Sequence, residues 1–252
     1  MKIIKNSVLR QFIEKELFRN QSPSNISGRI KKHEKHLTSV SKNIVYRYIK
    51  SPYGRRIEAH RKNKKTRHWK HRVKSKKLTD RTFIDKRPEY INKRKRIGDV
   101  EADFVVSGKT GKGIILNVTD RKSRNSFLEQ ITVVSINNVH AAFKRIKKRF
   151  PEMKTITTDN DILLRKHREL EKLLNVKIYF CNPYHSWEKG TVENSNKYIR
   201  RDIPKGYDIS KYSKRFIKKI EERLNNRFMD CLNHLTPYEV LERHRKRKNR
   251  RK

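Results

Sequence analysis

The amino-acid sequence predicts an α/β protein, a mixed five-stranded sheet flanked by helices and preceded by a small helical domain. Three observations predict it. Five short runs rich in β-branched and aromatic residues lie between residues 100 and 180. Apolar stripes at helical spacing fall among and after them, so the order reads three strands, helix, strand, helix, strand, helix. Upstream, two serines stand where helices would begin.

Taking the elements in order, Val8, Phe12, Ile13 and Leu17 recur at helical spacing and predict an amphipathic helix that needs a neighbour to pack on. Ser22 can cap a second helix with Pro23 at its first position. Ser39 or Ser41 can cap a third that buries Ile44, Val45, Tyr48 and Ile49. Residues 1–52 thus resemble a helix-turn-helix unit, with Lys42, Asn43 and Arg47 on the helix that would enter a major groove. Any small helical bundle shares this periodicity, and the charge of the chain is what favours DNA. Residues 53–96 are dense in Lys, Arg and His with little apolar pattern, as expected of a basic linker or an arm lying along phosphates.

The pattern changes at Ile97, where a core spanning residues 97–243 is expected to start. Val100 to Val106 and Ile114 to Thr119 form a hairpin across the glycine-rich stretch Ser107 to Gly113, and Ser126 to Ile131 follows as a third strand. Val139, Ala142, Phe143, Ile146 and Phe150 form a helical stripe that Pro151 stops. Thr155 to Thr158 and Val176 to Phe180 complete the strands, with a helix around His167 to Leu174 between them. Helices around Glu193 and from Tyr212 to Phe228 precede a basic tail, residues 244–252, expected to be unfolded.

Lys and Arg number 67 against 26 Asp and Glu, a formal net charge of +41. Such a chain repels itself, and a polyanion whose counterions are released on binding is the expected partner. No apolar run approaches a membrane span, and the N-terminus lacks the apolar stretch of a signal peptide, so a cytoplasmic, nucleoid-associated protein is expected. Cys181 and Cys231 lack the paired spacing of a zinc site or disulfide framework, and both are expected to be reduced and structural.

Acidic residues are scarce, which singles out those beside apolar strands. Asp103 lies within the first strand, Asp159 ends the fourth and Glu193 opens a helix after the fifth. If the first and fourth strands are neighbours, these side chains can meet. An all-oxygen set selects Mg²⁺ or Mn²⁺, and two such ions suit phosphoryl transfer. Spacing and chemistry leave this reading level with ordinary salt bridges to the many basic residues. Asp99 and Glu101 share a strand face with Asp103 and compete for the same role.

The segments around the acids resemble the insertion-sequence-thirty family of bacterial transposases, members of the DDE superfamily with an RNase H-like fold. The matching stretches are Ile97 to Asp103, Val118 to Arg124, Thr157 to Asn160, and Tyr179 to Asn194 with its Ser186-Trp187-Glu188-Lys189-Gly190 run, continuing through Ile199-Arg200-Arg201 and Pro204-Lys205-Gly206. The 33 residues between Asp159 and Glu193 agree with the family's spacing. The resemblance implies that Asp103, Asp159 and Glu193 are the metal ligands, for two Mg²⁺ or Mn²⁺ ions, and that Arg200, two helical turns past Glu193, contacts DNA. It implies cleavage and strand transfer at terminal inverted repeats, with target DNA as the second substrate and a homo-oligomer of two or more copies on the DNA. A non-catalytic DNA-binding repressor descended from a transposase is the alternative. The family's usual Trp-Glu-Gly-Asp around the first acid is replaced here by Val100-Glu101-Ala102-Asp103. Members typically carry a further helix-turn-helix region upstream, which the sequence before Ser22 is too short to hold in full. Gly190 and Asn194 are expected to hold Glu193, Trp187 to pack under its loop, and His185 to stand outside the catalytic set.

Overall fold

A computed structural model of the chain describes residues 2–62, 80–108, 111–182 and 186–250. It falls into two compact units, Met1–Arg67 with Asn226–Lys252, and His68–Asn225. The units divide the chain elsewhere than at residues 52, 96 and 243.

The first unit opens with α1 (Lys2–Lys5), α2 (Ser7–Phe18), α3 (Pro23–His33), α4 (Lys42–Lys50) and α5 (Arg55–Lys62). The longer helices start where a polar side chain takes an orphaned backbone N–H: Asn6 accepts from Leu9, Ser22 from Asn25 and Ser41 from Ile44. Leu9, Ile13 and Leu17 from α2 pack with Ile26, Ile30, Val45, Tyr48 and Ile57. The α2 stripe read from sequence holds at Ile13 and Leu17 and fails at Val8. Val8 is 60% exposed, because Leu9, Ile13 and Leu17 at four-residue intervals define the buried side. Phe12 and Ile44 are only partly buried against this core.

The second unit holds the sheet. Its described part begins with a single turn at Ile84–Lys86 and α6 (Glu89–Asn92), which bury Ile84 and Ile91. The Phe83-Ile84 and Tyr90-Ile91 pairs stand in a basic stretch without a periodic signal, and their isoleucines become core only through tertiary packing. The remainder of the arm, residues 63–79, lies outside the described residues. β1 (Asp99–Val106), β2 (Ile114–Asp120), β3 (Ser126–Ile131), α7 (Ile136–Arg149), β4 (Thr155–Thr158), α8 (His167–Leu174), β5 (Lys177–Phe180), α9 (Gly190–Asp202) and α10 (Lys214–Asn225) follow. The strand order is β3-β2-β1-β4-β5. β1, β2 and β3 pair antiparallel, whereas β1–β4 and β4–β5 are parallel. This is the RNase H-like arrangement. Gly98, at φ +110°, turns the chain into β1 and donates its N–H to Asp120 Oδ1 at 2.8 Å.

Both sheet faces are covered. On one, Val105, Ile115 and Leu128 meet Ile199 of α9 and Ile217, Ile220 and Leu224 of α10. On the other, Phe127 stacks on Phe150 at the end of α7, ring centroids 4.9 Å apart. Consequently the face of β1 that carries Asp99, Glu101, Asp103 and Val105 looks toward α9.

The chain then completes the first unit with α11 (Pro237–Asn249), begun by a capping box between Thr236 and Glu239. Arg29 joins it to α3, donating to Glu239 from both terminal nitrogens at 2.9 and 2.8 Å and from Nε to Glu34 at 2.9 Å. The basic stretch expected to be unfolded is helical through Asn249. Its cap and the Lys246, Arg247 and Lys248 side chains in the last turn both favour the helix, the cations lying where its dipole is negative. Among the described residues, no helix is long and apolar enough to cross a membrane.

Candidate active site

The site follows from the β1–β4 register. Asp99 pairs with Thr155 and Glu101 with Thr157, so two residues further along Asp103 comes level with Asp159 at the end of β4. The two carboxylates are joined by one cation. Lys189 Nζ lies 2.9 Å from Asp103 Oδ1 and 3.0 Å from Asp159 Oδ2, and its side chain is only 5% exposed. Lys189 is the residue just before the first turn of α9, and Glu193 stands one turn further on.

Electrostatics tie the three acids together. Burial holds the Asp103 carboxyl above its ordinary value, with Lys189 opposing and the charge of Asp159 adding. The Glu193 carboxyl is likewise raised by burial, lowered by Lys189 and raised by Asp103. Lys189 is held above its ordinary value because both aspartates outweigh the cost of its own burial. Asp159 Oδ1 is buried without a hydrogen-bond partner. The donor set therefore suits a hard divalent cation, although among the described residues no group of three or more His, Cys, Asp or Glu is arranged to hold a metal ion.

An amide relay orients Asp103. Asn117, its cross-strand partner on β2, donates to Asn196 Oδ1 at 2.7 Å, and Asn196 Nδ2 donates to Asp103 Oδ2 at 2.6 Å. Asn117 also donates to Ser195 Oγ at 2.5 Å. These residues seat α9 on the sheet through side chains that no acidic motif singles out. Their signal is positional. Asn117 lies opposite Asp103 in the hairpin, and Asn196 lies one turn beyond Glu193.

The competing acids are engaged elsewhere. Glu101 accepts the backbone N–H groups of Thr191 at 2.8 Å and Val192 at 3.0 Å, anchoring the N-terminus of α9, and pairs with Arg121 at 3.4 Å. Asp99 binds Arg96 and accepts from Thr155 Oγ1 at 2.8 Å. Asp120 accepts from the backbone of Gly98, Lys122 and Ser123. Glu101 thus holds the start of α9, while Gly190 and Asn194 are both exposed.

Asn160 donates to the Cys181 carbonyl at 2.8 Å and accepts from Arg81, whose guanidinium lies 4.2 Å over the Phe180 ring. Together they lock the ends of β4 and β5. Burial pushes the Cys181 thiol up to about 12, an inert structural cysteine, whereas Cys231 is exposed. Arg200 is half-buried and donates to the Val106 carbonyl at 2.6 Å. Pro183, Tyr184 and His185 lie outside the described residues, as does the side chain of Trp187. In the helical unit, Lys42, Asn43 and Arg47 are all exposed on α4, while Val45, Tyr48 and Ile49 turn inward.

No family model matches the chain. Among curated proteins it is 35% identical over 237 residues to the transposase for insertion sequence element IS4351 of Bacteroides fragilis, covering 92% of this chain and 72% of that one. It is 29% identical over 252 residues to the transposase InsI for insertion sequence element IS30A of Escherichia coli, covering 94% of this chain and 65% of that one. Among solved structures, the catalytic core domain of BIV integrase aligns with a TM-score of 0.46 at 18% identity, over 60% of this chain and 98% of that one. The chain belongs to the IS30 family of insertion-sequence transposases.

Proposed function

We propose that the chain cuts and joins DNA at the ends of an insertion element, with Asp103, Asp159 and Glu193 as the ligands of two divalent ions, Mg²⁺ or Mn²⁺. The observation that carries this reading is the pairing of Asp103 and Asp159 on one buried cation, with Glu193 one turn along the helix that starts there. Ions bound to these carboxylates would supply charge stabilisation to the attacked phosphate and to the leaving oxygen. The chain's own contribution is placement. Asn117 and Asn196 orient Asp103, and Glu101 holds the helix that presents Glu193. The same carboxylates serve two steps, hydrolysis that frees a 3′-hydroxyl and attack of that hydroxyl on target DNA.

In this reading the partners are double-stranded terminal inverted repeats and target DNA, read in part by Lys42, Asn43 and Arg47. Arg200 contacts DNA beside the site, exchanging its bond to the Val106 carbonyl for a phosphate. Two element ends must meet, so the protein works as a dimer or larger assembly, associated with the nucleoid. The repressor alternative is not favoured, since all three acids are present and the matched relatives carry transposase names. The test is cleavage of DNA bearing the element's ends in Mg²⁺ or Mn²⁺. The wild-type chain is expected to nick it and the Glu193→Gln variant to lose at least about a hundredfold in rate, in the range seen when a group that stabilises transition-state charge is removed. Equal rates would remove Glu193 from the site.

A further inference from the structure

We propose that Lys189 is the resident cation of the Asp103–Asp159 pair in the metal-free protein, and that a divalent ion enters by displacing its ammonium. The inference rests on the reading of these two aspartates as metal ligands. Two carboxylates brought level by adjacent strands repel one another, and Asp103, the more deeply buried of the two, is costly to take out of water without a counter-charge. Lys189 supplies that charge from a side chain 5% exposed, with one nitrogen within 3.0 Å of an oxygen on each aspartate. The match is incomplete. Among the described residues, Lys189 alone is in contact with both aspartates, with Arg81 and Arg200 adding longer-range attraction to Asp159 and Asp103, and Asp159 Oδ1 stays buried without a hydrogen-bond partner. A divalent ion would give that oxygen a cation to bind.

The site does not depend on the ammonium for its shape. Lys189 ends the single turn Ser186–Lys189 and immediately precedes Gly190. Beyond it, α9 is held independently of Lys189. Glu101 takes the Thr191 and Val192 N–H groups, and Asn196 keeps its bond to Asp103. Departure of the ammonium therefore leaves Glu193 and the relay in place. The consequence is a threshold, since metal must compete with an internal cation.

The experiment titrates Mn²⁺ into the full chain and reads the paramagnetic resonance of the free ion, for wild type, Lys189→Met and Asp103→Asn. The expected result is binding in wild type that Asp103→Asn abolishes, and binding about tenfold tighter or more in Lys189→Met, as removal of a buried competitor predicts. Lys189→Met should also melt at a lower temperature in EDTA and gain more from Mn²⁺ than wild type does. Asp103-dependent binding that Lys189→Met leaves unchanged or weakens would overturn the displacement while sparing the site. Absence of Asp103-dependent binding in wild type would overturn the site reading and the displacement with it. Should Lys189→Met not fold, acetic anhydride labelling of wild type decides. Lys189 is expected to be protected in EDTA and modified at least about tenfold faster in saturating Mn²⁺, as a buried side chain released to solvent would be; equal labelling in the two would overturn the proposal.

Discussion

The helical unit and the sheet unit handle charge in opposite ways. Around α4 the cations Lys42, Arg47 and Lys50 stand exposed over a core of plain hydrocarbon, Val45 and Ile49 with the Tyr48 ring. In the sheet unit, ionic groups sit inside. Asp99, Glu101 and Asp120 are each no more than 1% exposed, and each is satisfied by backbone N–H groups, a hydroxyl or an arginine. Displayed charge costs the fold little and is available to a polyanion. Buried charge must be matched atom by atom, so its removal is felt by the fold itself.

The largest effect expected from this contrast is at Glu101. Glu101→Ala would leave Arg121 buried without its partner and free the start of α9, at a cost of about 3–5 kcal/mol in unfolding free energy measured by urea denaturation. A loss below about 1 kcal/mol, the range of an exposed pair, would break the comparison.

Two ion clusters in the helical unit depart from this, the buried Glu16 held by Arg19 and the half-hidden Arg29 with its two glutamates, and the second sharpens the comparison. Arg29→Ala removes bonds to Glu34 and Glu239 and the contact over Phe228, and should cost about 2 kcal/mol, less than Glu101 because its partners reach solvent. Arg29→Lys should recover only part of this, since lysine cannot make the two-pronged bond to Glu239.

The same cluster sets a weaker pH dependence. Burial acts to raise the Glu239 carboxyl, but the hydrogen bonds from Arg29 and Thr236 prevail and hold it below the ordinary glutamate value. A depressed folded-state value means stability that is present above the ordinary glutamate range and lost as pH falls through the depressed one. Urea midpoints across acid pH should show a loss of under about 1 kcal/mol, screened by solvent, and Arg29→Ala should flatten it.

Smallest on stability is α4. Lys42→Ala and Arg47→Ala should each shift unfolding free energy by no more than about 0.5 kcal/mol. Each should nonetheless weaken DNA binding and lower the salt slope of affinity by about one where it meets a phosphate. Unchanged affinity and slope in both variants would leave the exposed cations as a solvated face.

Local signals carried much of the fold. Ser126–Ile131, Thr155–Thr158 and His167–Leu174 stand where alternation, β-branched runs and helical spacing put them. Ser22 and Ser41 cap as their side-chain chemistry predicts. The failures were tertiary in origin. Ile84 and Ile91 each follow one aromatic residue in a basic stretch without periodicity, and α2 chose Leu9 over Val8 because its neighbours, rather than its own pattern, decide which side faces inward.

Acid identity and spacing along the chain made Asp103, Asp159 and Glu193 candidates, and the net charge of +41 made a polyanion the partner to expect. Only the folded chain brought Asp103 level with Asp159 across neighbouring parallel strands and placed Lys189 between them. Only the fold, too, separated Glu101 from Asp103. Two acids on one face of one strand look alike in sequence, but the start of α9 lies over the first and the amide relay over the second. A sequence states which groups a chain owns, whereas burial and geometry decide which of them must satisfy the fold and which are left to bind something else.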